Sequence, residues 1–135
     1  MFYAGLHLAY ALLLAVALRL NRHDWRAFSA TVLVGINLLT PVPWSAVAKV
    51  WYLKCFIFDG FTALAIAYLW CRQSLPLLVI YAWICLGHIL GMVFGPSPGV
   101  GAYRALMPVL ETGALITCIL FSGPTLSWLK LKSRS

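Results

Sequence analysis

Five apolar runs follow one another along the chain, Phe2 to Leu18, Ala27 to Trp44, Ala46 to Cys71, Leu75 to Gly95 and Tyr103 to Trp128, each bounded by charge, proline or glycine. Crossing roughly 30 Å of hydrocarbon takes about 20 apolar residues in a helix. These runs are continuously apolar, whereas the strands of a membrane barrel would alternate with period two. Helices also satisfy their own backbone polar groups, which lipid cannot do. Hydrophobic residues make up 63% of the 135 and charged residues 10%, against about 25% charged in an average soluble domain. A soluble globular domain is therefore excluded. The expected fold is an all-α integral membrane protein, residues 1–135 forming a single multi-pass domain: a compact bundle of five transmembrane helices, or four if the first is cleaved.

The net charge of +7 arises from ten Lys and Arg set against Asp24, Asp59 and Glu111. The bases form no continuous patch, so no nucleic-acid partner is expected. They do set an orientation. With the N-terminus outside, Arg19, Arg22, Arg26, Arg72, Lys130, Lys132 and Arg134 fall inside and Lys49, Lys54 and Arg104 outside, which fits the positive-inside rule. The C-terminus is then inside, in a cell inner (plasma) membrane. The basic inner rim faces anionic lipid headgroups, with Trp25 and Trp128 at the same level. Ala15-Val16-Ala17 resembles a signal-peptide cleavage site, but no Lys or Arg precedes the first run and the positive cluster follows it; the run reads as a retained helix.

The connections carry further expectations. Pro41-Val42-Pro43-Trp44 ends the second helix, because proline has no amide proton. The third run is too long for one crossing, which places Ser45 to Tyr52 at the interface. Gly95-Pro96-Ser97-Pro98-Gly99-Val100-Gly101 reads as the longest outer loop. Arg72-Gln73-Ser74 reads as a tight inner turn before Pro76, which suits a first helical turn.

No phosphate-binding glycine loop, His-Glu-x-x-His, Gly-x-Ser-x-Gly or calcium loop is present, so the corresponding chemistries have no foothold and no catalytic residue is nominated. Cys55, Cys71, Cys85 and Cys118 lack Cys-x-x-Cys spacing and read as small apolar packing residues. Cys55 and Cys71 lie at opposite ends of one helix and cannot pair. No cofactor or metal is predicted from this pattern.

Two features stand out. Gly87, Gly91 and Gly95 recur every four residues and line one side of a helix, allowing close approach of another backbone. The neighbour is either a helix of the same chain or a second copy. Ionisable residues within spans are costly and default to a functional hypothesis, so His7, Lys54, Asp59, His88 and Glu111 need partners, with Asn37 as a neutral companion. At 1.5 Å per residue, His7 lies about 18 Å from Arg19, Asn37 about 17 Å from Arg26, Asp59 about 20 Å from Arg72 and His88 about 18 Å from Pro76. These four form one expected layer, topped toward the outside by Lys54, Glu111 and Arg104. Expected pairs are Asp59 with His7 or His88, and Glu111 with Lys54 or Arg104.

Three readings compete for the layer: a structural network that fixes helix packing, a proton or ion path, and a b-type haem held by His7 and His88. The function expected is that of a small non-enzymatic membrane protein acting by helix assembly. It would serve as an accessory subunit, or as the unit of a small holin-like or proton- or ion-conducting oligomer. Its partners would be the lipid bilayer and a second copy or larger membrane complex. The alternative is a haem- or quinone-binding subunit of a redox complex.

Overall fold

The computed structural model describes residues 2–40, 47–94 and 100–134, without the side chains of 2–4, 48, 94, 100–104 and 134. Among them are six helices and no strand: α1 Phe2–Leu20, α2 Trp25–Leu39, α3 Ala48–Leu69, α4 Ser74–Phe94, α5 Val100–Leu120 and α6 Gly123–Arg134. Each of the first five packs against its chain neighbour, α1 also packs against α5 to close the ring, and α2 touches α5 across the interior. The short α6 rests on α1 and α5.

Local chemistry sets the ends of these helices. Asp24 caps α2 by accepting from the amides of Arg26 and Ala27, which supplies acceptors that the first turn lacks. Thr40, extended at the other end, precedes Pro41 and stops the helix after Leu39. Trp70 closes α3 in the left-handed region at φ 40°. Ser74 then accepts from the Cys71 amide at 2.8 Å and donates to the Ile66 carbonyl at 3.0 Å, tying the end of α3 to the start of α4. The expected tight turn before Pro76 is thus present.

Asn21 joins three helix ends. Its amide donates to the carbonyls of Ala17 on α1 and Cys118 on α5, at 2.8 and 3.0 Å, and its oxygen accepts from Gln73 Nε2 at 2.7 Å. Both carbonyls lie near helix C-termini, and that of Ala17 also accepts from the Asn21 backbone amide at 3.1 Å.

The core is built from Tyr10, Ala17, Val34, Ile66, Leu77, Tyr81 and their neighbours. Fully buried alanines at 17, 27, 30 and 114 let the helices approach closely. The outside is apolar: Leu12, Phe61, Leu64, Val93 and Val109 are each more than 60% exposed. Apolar patches this extensive are rare on a protein surrounded by water.

By length and composition, α3 over Lys49–Leu69 and α4 over Ser74–Val93 can cross a membrane. A third crossing is reached if Ala105–Leu120 and Gly123–Ser133, bent by 68°, count as one span. Gly5–Leu20 and Trp25–Leu39 are apolar but shorter; the 15 residues of α2 extend only about 22 Å.

Two expectations are corrected. Tyr103 to Trp128 is not one continuous helix, because the chain breaks at Phe121 and Ser122 before Gly123-Pro124 and turns into α6. Ala48 to Tyr52, expected at the interface, form the first part of α3. Val100 and Gly101, expected in the outer loop, instead open α5; the rest of that loop, at 95–99, together with Pro41 to Ala46 and Gly95 of the glycine stripe, lies outside the described residues.

At Gly91 the groove is filled from within the bundle. A Cβ there would stand 2.6 Å from Cε1 of the Tyr52 ring on α3, closer than packed atoms can sit. Gly91→Ala is therefore expected to cost about 1–3 kcal/mol by overpacking, read as a lower denaturant midpoint in detergent. Gly91→Leu is expected to lose folded protein while leaving the oligomer size of the remainder unchanged. An altered oligomer at unchanged stability would assign the groove to a second copy.

Candidate functional site

The buried face of α2 reads Ala27, Ala30, Thr31, Val34 and Asn37, a helical spacing that carries one amide into the bundle interior. On α3, Asp59 and Thr62 are one turn apart and both buried. On α4, Tyr81 and His88 are two turns apart and both buried. These five side chains meet. Asn37 Nδ2 donates to Asp59 Oδ1 at 2.7 Å and lies 3.1 Å from Thr62 Oγ1, while Tyr81 donates to Asn37 Oδ1 at 3.3 Å. The other carboxylate oxygen, Asp59 Oδ2, contacts His88 Nε2 at 2.5 Å. Thr62 spends its own proton on the Phe58 carbonyl at 3.0 Å.

Asp59 is thus held from two sides, by α2 through Asn37 and by α4 through His88. The Asp59–His88 pair has a useful electrostatic property. When His88 Nδ1 carries a proton, the pair has zero net charge whether the second proton sits on the imidazole or on the carboxyl group, so that proton can relocate without placing net charge in a low-dielectric interior.

A second polar contact links α1 and α5. Tyr10, 3% exposed, donates to Glu111 Oε2 at 2.9 Å, with the Pro108 carbonyl at 3.4 Å beside it. Pro108 lies inside α5, where proline deprives the carbonyl four residues earlier of its usual donor.

Of the expected layer, Asn37, Asp59 and His88 come together, whereas His7 lies on the exposed side of α1. Among the described residues Glu111 meets Tyr10 rather than Lys54, which is half-buried on α3. The Arg104 side chain lies outside the described residues. For the two histidines of the haem alternative, the geometry is unequal: His88 is buried with Nε2 against Asp59, and His7 is exposed. Among the described residues no group of three or more His, Cys, Asp or Glu converges as a metal site would require.

Sequence reasoning missed Tyr10, Thr62 and Tyr81, and at the basic end Asn21, Gln73 and Ser74. His7 and Tyr10 have the i, i+3 spacing of neighbours on a helix, yet His7 is exposed and Tyr10 buried, so that spacing does not predict the first. The spacings Asp59 to Thr62 and Tyr81 to His88 do carry a usable same-face signal. Compared with protein families, curated proteins and solved structures, the chain matches none.

A double-mutant cycle tests the pair. Asp59→Ala alone is expected to cost about 3–5 kcal/mol, because it removes from the buried interior the carboxylate that both His88 and Asn37 contact. Asp59→Ala with His88→Ala should show a coupling of about 0.5–3 kcal/mol, measured from unfolding midpoints in detergent; strict additivity would show that the two side chains do not interact.

Proposed function

We propose that this chain is a five-pass membrane protein, N-terminus outside and C-terminus inside, which performs no enzymatic chemistry and acts through helix assembly in the bilayer. In this reading it is an accessory subunit of a membrane complex or the repeating unit of a small oligomer. The observation that supports it is the distribution of polarity. Asn37, Asp59, Tyr81 and His88 pair with one another within the ring, while large apolar side chains cover the outside. A bundle of this kind offers lipid or other helices little besides shape and apolar contact.

The short α1 and α2 fit five crossings if the bilayer thins locally, at fractions of a kcal/mol per ångström of mismatch. The bend before α6 suits a helix that leaves the hydrocarbon and lies at the inner interface, with Trp128 and the lysines at 130 and 132 facing headgroups. Lys132 packs over the Trp128 ring at 4.9 Å, a contact typical of such belts.

A second reading, proton conduction, is favoured by the Asp59–His88 pair, since an acid and an imidazole that exchange a proton without net charge are what an intramembrane relay uses.

Three measurements separate these readings. Tags at the two termini should be accessible from opposite faces of sealed vesicles; access from one face would contradict the five-pass arrangement. Single-molecule bleaching in native membrane should show the chain in assemblies larger than one copy or travelling with a partner, and a uniformly solitary protein would contradict the assembly reading. In liposomes, the assembly reading predicts equal proton flux for wild type and Asp59→Asn. A flux lost in Asp59→Asn would replace it with the relay.

A further inference from the structure

Three chain reversals meet at the basic end of the bundle: the turn between α1 and α2, the turn between α3 and α4, and the break between α5 and α6. Between them lies a pocket of about 360 Å³ lined by Leu20, Asn21, His23, Asp24, Trp25, Arg72, Gly123 and Pro124. Its donors are side chains rather than a helix terminus, because the first turn of α6 is capped from within by Ser122, whose Oγ accepts from the Thr125 amide at 3.4 Å.

The charge of the pocket is unbalanced once its partners are traced. Asp24 is fully engaged: Oδ1 receives the amides of Arg26 and Ala27, and Oδ2 stands 3.4 Å from Arg72 Nη2. That contact is long and its two side chains are 45% and 40% exposed, so it is a weak surface pair. A guanidinium has five N–H donors in a planar fork, and Asp24 draws on one nitrogen.

His23 adds a donor. Its Nε2 accepts from Arg22 Nε at 3.0 Å, which leaves the ring proton of a neutral imidazole on Nδ1. Arg26 stands at the rim, its guanidinium 5.3 Å from the Trp25 ring centre. Gly123 keeps the space open, since a Cβ there would lie 3.1 Å from Arg72 Nη2.

We propose that this pocket binds the phosphodiester of an anionic phospholipid of the inner leaflet. Arg72 is the principal ligand, His23 the second donor, and Trp25 and Pro124 the walls that meet the glycerol backbone. Arginine matches phosphate geometry with paired, charge-assisted hydrogen bonds. The pocket favours an anionic over a choline headgroup because its donors are Arg72 and His23, while Asp24, the one carboxylate among its described lining residues, spends Oδ1 on the amides of Arg26 and Ala27 and faces Arg72 with Oδ2. The site rests on the membrane placement of the basic end given above, and is independent of what Asp59 and His88 do.

Native mass spectrometry of the full chain released from detergent, titrated with dioleoyl phosphatidylglycerol, tests the site. Wild type should retain one lipid with saturable affinity, and Arg72→Gln should weaken it about tenfold. Gly123→Val, which keeps every charged residue but fills the pocket and crowds the Arg72 guanidinium, should do the same at unchanged helical content. Removing the charges at 130 and 132 together should change retention less than twofold, because these lysines supply only general attraction to the surface. Asp59→Asn should retain the lipid, so that failure of the polar core and failure of this site are told apart.

Equal retention by Arg72→Gln, Gly123→Val and wild type would overturn the proposal, as would equal retention of dioleoylglycerol, which has no phosphate. Displacement of the lipid by inorganic phosphate at equal concentration would assign the pocket to a free anion and overturn the lipid assignment. Partition of the purified chain into detergent-free buffer would instead remove the membrane placement itself.

Discussion

The carboxylate of Asp59, held between the amide of Asn37 and the imidazole of His88, is the contact on which the arrangement of the other helices depends. A buried acid must find hydrogen-bond donors, and in a bundle those donors can come only from neighbouring helices. Because α2 supplies one and α4 the other, α3 is fixed between them in rotation as well as position. Apolar contacts alone do not impose such a register, since many rotations of an apolar helix bury similar surface. Tyr81 extends the register by donating to Asn37, and Tyr10 does the equivalent between α1 and α5 through Glu111.

A second set of contacts closes the bundle at its basic end. Asn21 satisfies carbonyls of α1 and α5 and takes a hydrogen bond from Gln73, while Ser74 fastens α3 to α4. Small residues do the rest: buried alanines and Gly91 bring backbones and rings together. The consequence is an apolar core threaded by paired polar side chains and enclosed by an apolar outer surface, a distribution that supports the proposed role in helix assembly.

Much of this architecture was legible in the sequence, because its strongest signals are local. Continuous apolar runs announce helices, Pro41 stops α2, and Arg72-Gln73-Ser74 marks a turn. Depth was legible too, since a rise of 1.5 Å per residue places Asn37, Asp59 and His88 at one level. Rotation about the helix axis was not. His7 has the right depth and the wrong face, and that difference depends on how α1 packs, which no local pattern encodes when nearly every position is apolar. For the same reason the hydrogen bond from Tyr10 to Glu111 was not foreseen. The break before α6 was carried by Ser122-Gly123-Pro124, a signal present in the chain but overridden by the apolar run around it.

The ring nitrogens of His88 report on the central contact directly. In protein labelled with ¹⁵N at histidine and reconstituted in lipid nanodiscs, the Nε2 resonance of His88 is predicted to move when Asp59 is changed to Asn and to stay in place when Asp24, at the far end of the bundle, is changed in the same way. A His88 resonance indifferent to Asp59 would show that the two residues do not share a proton, and the account of helix register built on that contact would be wrong.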